Sequence, residues 1–197
     1  MKFTVRKKEM YDKQIKSVIE ALLFSCDKPI LIEQIRNVYP DLEPSQIRDI
    51  LEELKSEYES KISSIRIVEI AGGFQMVTAP EFANFLKKFY KVQRKERLSR
   101  PSLATLAIIA YKQPVTKLQI QSIRGVDVDG IINNLKELGI IRIVGRRRAP
   151  GRPFLYGTTR QFLEYFGLKS LEDLPRIEDF PKMEETDGFE ETAKQDR

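Results

Sequence analysis

Ala107-Ile108-Ile109-Ala110, then Tyr111-Lys112-Gln113-Pro114-Val115, then Leu118, Ile120 and Ile123-Arg124: this stretch decides the fold because the chain writes its pattern twice. Earlier, Ala21-Leu22-Leu23-Phe24 leads into Asp27-Lys28-Pro29-Ile30, then Ile32 and Ile35-Arg36. Each copy reads as a helix, a tight turn at proline and a short second helix. A third helix follows, with apolar residues three and four apart: Ile47, Ile50, Leu51 and Leu54, then Ile131, Ile132, Leu135 and Leu138. Each copy closes on alternating, strand-like residues. Three small helices plus a hairpin outline a winged helix. The expected class is therefore α+β, mainly α: two tandem winged-helix domains, each a helix-turn-helix plus a β-hairpin wing. Winged helices serve DNA or protein partners, so the fold alone does not give the function.

Outward from these repeats, Tyr11–Ser25 reads as the first helix, with Ile15, Val18, Ile19, Leu22 and Leu23 in helical register. Pro29 ends that pattern, since the residue before a proline is pushed out of the α region. Leu31–Val38 is a short helix, and Pro44 starts a third that runs to about Tyr58. Ile65–Ile70 and Phe74–Thr78 flank Ala71-Gly72-Gly73, where glycines supply the positive φ of a hairpin turn. Glu81 to about Val92 carries Phe82, Phe85, Leu86, Phe89 and Tyr90 at helical spacing and is expected to pack back on the first domain.

In the second copy Ser99 is placed to cap a helix with Pro101 in its first turn. Leu103–Tyr111 is apolar almost all round and reads as a central buried helix. Thr116 caps the next helix, which ends at Arg124-Gly125, and Asp127 opens a third that Gly139 ends. Ile140–Val144 and Phe154–Tyr156 read as wing strands around the irregular loop Gly145–Pro153, and Thr159 caps a closing helix. The expected plan is an N-terminal extension (1–10), an N-terminal winged-helix domain (11–80), a connecting helix and linker (81–98), a C-terminal winged-helix domain (99–174) and an acidic tail (175–197), disordered from Glu184.

Charge is unevenly spread. Residues 1–80 carry a net −1, residues 81–168 a net +11 and residues 169–197 a net −5. Nearly all the positive field thus belongs to the second repeat and the linker before it, which points to a polyanionic partner, nucleic acid or acidic protein. The single cysteine, Cys26, permits no internal disulfide and suits a reducing cytosol. It adjoins the apolar run Ile19–Ser25 and is expected to be a buried small hydrophobe. With one Cys and no His, neither a zinc site nor a Cys/His or Ser/His nucleophilic system is available. No apolar stretch approaches the roughly 20 residues that span a bilayer. Met1–Lys8 lacks the apolar core of a signal peptide.

A base-reading helix presents Arg, Asn or Gln to the major groove. The third helix of the first repeat offers Glu43, Gln46, Arg48, Asp49, Glu52, Glu53, Lys55 and Glu57, a mainly acidic face that repels phosphate. The second offers Asp127, Asp129, Asn133, Asn134, Lys136 and Glu137, with no arginine beside the asparagines. The strongest candidate site is the wing segment Arg146–Arg152. Arg146, Arg147, Arg148 and Arg152 can contact phosphates, clamp an acidic peptide, or simply stand solvated at a hairpin tip. Carboxylate pairs such as Glu52-Glu53 and Glu184-Glu185 lie on an exposed helix and the tail, so no catalytic site and no cofactor site is expected.

Several stretches resemble the segregation and condensation protein B family. They are Ile19–Phe24 (IEALLF), Gly73–Thr78 (GFQMVT) and above all Leu98–Thr116 (LSRPSLATLAIIAYKQPVT). The match continues through Ile123–Asp127, Pro150–Pro153, Leu155–Thr159 and Phe162–Leu168, and does not include the tail beyond about Arg176. The resemblance implies a cytoplasmic, nucleoid-associated accessory subunit of the bacterial condensin complex, without chemistry of its own. It implies a homodimer, formed through the N-terminal domains, that binds the kleisin subunit (segregation and condensation protein A) bridging the heads of the SMC ATPase. Dimer contacts are assigned to the first helix and first wing. Tyr111, Arg124, Arg148, Arg152 and Tyr156, near the turns and wing of the second domain, are the candidate kleisin contacts. Weak, non-specific DNA contact by the wing arginines is a further expectation. The competing function is a dimeric winged-helix DNA-binding transcription regulator.

Overall fold

Helix α1 runs from Lys2 to Ser25, starting well before Tyr11. Residues 2–10 contain neither proline nor glycine, so nothing in them breaks the helix. The computed structural model describes residues 2–60, 63–90, 98–176 and 178, with side chains from residue 13 onward. After α1 come α2 (Ile32–Arg36), α3 (Pro44–Ser60) and the hairpin β1 (Ile65–Ile70) and β2 (Gly73–Thr78). Then follow α4 (Ala83–Phe89), α5 (Arg100–Lys112), β3 (Val115–Thr116), α6 (Lys117–Arg124), α7 (Asp129–Glu137), β4 (Ile141–Arg146), β5 (Phe154–Thr158) and α8 (Arg160–Phe166). The result is the expected α+β architecture, mainly helical, with two small antiparallel sheets.

Each repeat closes its own hydrophobic cluster. Ile15, Ile19 and Leu23 of α1 meet Ile35, then Ile47, Leu51 and Leu54 of α3, then Ile67 and Phe74 of the hairpin. In the second, Leu106 and Ile109 of α5 meet Ile120, Ile132, Leu135, Tyr156 and Phe162. The same one-sided stripe thus packs three helices on a hairpin in both places. The segment before the second helix joins the sheet each time. Ile30 bridges Phe74 in the first repeat, and β3 pairs β5 through Val115 and Tyr156 in the second. The two residues of β3 are too few to show a strand period, so sequence reading had missed it.

The caps are those the residues dictate. Ser99 Oγ accepts from the Ser102 N–H, and Thr116 forms a capping box with Gln119. Thr159 caps α8, while Gly125 and Gly167 take the left-handed conformation that ends α6 and α8. Helix α7 starts at Asp129, two residues after Asp127, whose Oδ1 accepts the Asp129 N–H. Helix α5 is not buried all round. Thr105, Leu106, Ile109 and Ala110 face the core, while Leu103 and Ala107 face out.

Two further expectations fail. Cys26 is exposed, because it stands just past the end of α1, off the face that Ile19 and Leu23 bury. The segment after the first wing does not pack back on it through its aromatics. Pro80–Phe82 makes a 3-10 turn, and in α4 the half-buried positions are Ala83 and Leu86, three apart. Phe85 and Phe89, four apart, fall on another side and are 69 and 79% exposed, with Tyr90 beside Phe89 in an edge-on ring contact. The continuation to Val92, the charged linker and the tail from residue 179 lie outside the described residues.

The first wing does not end in solvent. Ala71 and Gly72 form its two-residue turn, both at positive φ. Their N–H groups donate to the Leu168 and Lys169 carbonyls at 2.8 and 3.0 Å. Glu69 receives Lys169 at 2.7 Å and Arg48 at 3.4 Å. Arg160 donates to the Pro29 carbonyl at 2.9 Å. The first repeat is thereby fastened to the segment at and after α8.

Candidate functional site

The second wing is built for display. Strands β4 and β5 pair from Ile141–Thr158 to Arg146–Phe154, with a register shift between Ile143 and Gly145. The shift is a bulge at Val144, which twists the ribbon. Above it the tip is closed by Arg147 N–H to the Pro153 carbonyl and Arg152 N–H to the Ala149 carbonyl, each 2.9 Å. Gly151 and Arg152 both take positive φ there. The Arg146 guanidinium lies 4.1 Å from the Phe154 ring centroid and donates to the Arg152 carbonyl. Arg142, Arg146, Arg147, Arg148 and Arg152 are all exposed, and among the described residues none has a carboxylate in ion-pair range. Five uncompensated cations on one ribbon attract carboxylate or phosphate, without reading sequence.

Below the wing a groove of about 540 Å³ opens between α6, α7 and β5. Ile132 and Tyr156 form its buried floor; Leu118, 68% exposed, and Phe154 stand on its rim. Lys117 and Asp129 close one side through an ion pair of 2.9 Å, and Asn133 and Lys136 supply polar groups. The Asp129 hydrogen bond and charge hold the Lys117 ammonium above its ordinary pKa. An apolar floor with a polar rim and no enclosing lid suits a chain segment laid across it.

A second hollow lies between α5 and α6, lined by Tyr111, Lys112, Val115, Gln119, Ser122 and Ile123. The Tyr111 hydroxyl donates to the Pro175 carbonyl at 2.6 Å, so the end of the described chain is pinned beside it. Arg124, the last residue of α6, is half-buried, with Nε buried and unpartnered.

The five candidate partner contacts therefore do not make one site. Arg148 and Arg152 stand on the wing, Tyr111 lines the α5–α6 hollow, Arg124 ends α6, and Tyr156 is a core residue showing only an edge in the groove floor. Sequence reasoning missed Lys117, Leu118 and Phe154. Leu118 had a usable signal: it is two residues from Ile120, which is fully buried, so it cannot share that helix face. Asp127 and Asp129 fasten α7 to α6 through Gln121 and Lys117. Among the described residues no group of three or more His, Cys, Asp or Glu can hold a metal ion, and no helix is long and apolar enough to cross a membrane.

Two successive helix-turn-helix units, each closed by a hairpin, define a tandem winged-helix protein. The family model of the segregation and condensation complex subunit ScpB matches residues 17–177. Segregation and condensation protein B of Syntrophotalea carbinolica is 44% identical over 164 residues, covering 83% of this chain and 82% of the relative. Its counterpart in Moorella thermoacetica is 41% identical, covering 84% of each chain. A crystal structure of a dimer of an ScpB N-terminal domain complexed with an ScpA peptide is 32% identical. It covers 39% of this chain and 95% of that one, with a TM-score of 0.36. The chain belongs to the ScpB family of segregation and condensation complex subunits.

Proposed function

We propose that this chain is a non-catalytic scaffold of a chromosome-condensing complex: a cytoplasmic, nucleoid-associated homodimer that holds an ScpA-type kleisin segment and so sets the geometry of an SMC ring. Family membership across residues 17–177 carries the reading. The relative crystallised as an N-terminal-domain dimer with an ScpA peptide supports both the self-association and the partner. We assign residues 11–80 to dimerisation, 81–98 to the connection and 99–174 to the second winged-helix unit. Exposed apolar surface for the dimer lies on Phe24 of α1 and on Phe85 and Phe89 of α4. The first wing is less suited than the sequence implied, since its tip already meets Leu168 and Lys169.

For the kleisin we assign the groove of Leu118, Phe154, Lys117 and Asp129, with Tyr156 as floor and Arg148 and Arg152 above it. The α5–α6 hollow at Tyr111 and Arg124 is the neighbouring surface. Calorimetric titration of a synthetic segment of the same organism's segregation and condensation protein A is the test. Leu118→Glu should weaken binding by about tenfold or more, the scale of losing one interface anchor. Unchanged affinity removes the groove from the proposal. The arginine wing favours one addition, a salt-sensitive phosphate contact by Arg146, Arg147, Arg148 and Arg152. A sequence-reading regulator is disfavoured by the acidic face of α3 and by the lack of arginine on α7.

A further inference from the structure

We infer that Asp129 is a stand-in on the groove between α6, α7 and β5: the occupant carries a carboxylate beside large apolar side chains, and that carboxylate takes Lys117 over from Asp129. The inference rests on the reading that this groove holds the kleisin segment. It adds what the segment must carry and which two residues select it. The groove joins two chemistries. Ile132 and Tyr156 make an apolar floor, 3 and 7% exposed, with Leu118 and Phe154 on the rim. Apolar side chains that cover such a surface release its water, and a phosphate backbone has none to offer. The charged lining is lopsided. Lys117 and Lys136 face one carboxylate, Asp129, among the described residues that line it. Arg146 adds a third cation at the wing end, its guanidinium 4.1 Å from the Phe154 ring centroid. Among the described residues neither Lys136 nor Arg146 has a carboxylate in ion-pair range. A second copy of this chain laid groove to groove would set these cations against their own equivalents, so charge complementarity selects an acidic partner.

The Lys117–Asp129 pair is poised for exchange. The ammonium lies 2.9 Å from Oδ1 and 3.1 Å from Oδ2, yet the two side chains stay 42 and 53% exposed. A pair so open to water contributes little to the fold. The start of α7 has a separate fastening. The Asp127 carboxylate accepts from Gln121 Nε2 at 2.8 Å and from the Asp129 N–H at 3.3 Å. The helix therefore keeps its place when the Asp129 side chain lets go. Once the partner's apolar side chains cover the groove, a carboxylate arriving with them meets Lys117 at lower dielectric. A charge-assisted hydrogen bond is stronger there than the exposed pair it replaces. A neutral apolar segment forms no such bond, and so the exchange discriminates in favour of an acidic one.

Calorimetric titration of the full chain with the same organism's segregation and condensation protein A tests this. Lys117→Gln should weaken binding about tenfold, the scale of one lost charge-assisted hydrogen bond. Asp129→Asn removes the competitor and should tighten binding about threefold, the scale of an exposed ion pair. In the Lys117→Gln background Asp129→Asn should change nothing, because the two residues act through one contact. The sign separates exchange from support, since a residue that only holds α7 in place weakens binding when it is replaced. Weaker binding in Asp129→Asn therefore overturns the inference, as does parent affinity in either single variant. If Leu118→Glu still weakens binding in that case, the groove remains the site and the exchange alone fails. If Leu118→Glu is silent too, the groove reading falls with it. Random-sequence duplex DNA is the control. Equal tightening of DNA by Asp129→Asn assigns the groove to phosphate and overturns the acidic segment. A homodimer lost in Leu118→Glu assigns the groove to a second copy, with the same consequence.

Discussion

The two wings are the same device put to opposite uses. Each is an antiparallel hairpin pinned at its side by the residues that precede a second helix, Ile30 in one repeat and Val115 in the other. The first ends in the two-residue turn Ala71-Gly72, whose amides are spent on Leu168 and Lys169, and the Glu69 carboxylate is shared by Lys169 and Arg48. The second ends in a loop from Arg147 to Pro153 with its own internal hydrogen bonds and with arginines that, among the described residues, have no carboxylate in ion-pair range. One wing joins the two halves of the chain; the other ends in exposed arginines. The two tips differ in length and charge on the same winged-helix frame.

The comparison breaks most visibly at the cores both wings rest on. Leu51 of α3 and Leu135 of α7 are fully buried counterparts. Leu51→Ala and Leu135→Ala should each cost about 2–5 kcal/mol in chemical denaturation. A smaller loss at either would mean that its repeat does not depend on its third helix. Glycine substitutions separate the wings more sharply. A Cβ at Gly73 would stand 2.6 Å from the Ile30 carbonyl oxygen, whereas one at Gly151 would meet nothing within 4 Å. Gly73→Ala should therefore destabilise by about 1–3 kcal/mol through overpacking. Gly151→Ala should cost only the left-handed backbone, about 1 kcal/mol.

At the next level down, Glu69→Gln removes the charge that holds Lys169 and Arg48. The Glu69 side chain is only 10% exposed while its partners are about half exposed, so losing its charge-assisted hydrogen bonds should cost about 1–2 kcal/mol. Hydrogen exchange at Ala71 and Gly72 should speed up selectively, and unchanged exchange would show that the first wing is not fastened by this carboxylate. The smallest effect is a titration. Tyr58 donates to Glu20, and this hydrogen bond, with burial and the Glu20 and Glu57 charges, pushes its pKa up to about 12. A raised pKa stabilises the fold fully below the unfolded value near 10, and that contribution is lost as pH rises from 10 towards 12. Absorbance titration should show one late tyrosine that returns to the ordinary range in Glu20→Gln.

Much of this was legible in the residues. The duplicated helix pattern, the caps at Ser99, Thr116 and Thr159 and the stops at Gly125 and Gly139 are local chemistry, and local chemistry is what a sequence displays. What escaped depends on distant partners. Gly73 is required by a backbone oxygen more than forty positions away in the chain, at Ile30. The outward aromatics of α4 share the spacing of a core helix, and only the axis set by the turn at Pro80 shows that they face out. Cys26 looked apolar by its neighbours and was exposed by the end of a helix. The groove was hidden for the same reason, because Leu118 and Phe154 come from elements far apart in the chain.

The central claim is that this chain works by holding a protein segment. Light scattering coupled to size exclusion tests it directly, on the full chain alone and with the same organism's segregation and condensation protein A. The account predicts a homodimer that shifts to a stable, larger complex with that subunit, without added DNA and without ATP. A chain that stays unshifted beside that subunit, yet binds one defined duplex sequence tightly at moderate salt, would contradict it and restore the regulator reading.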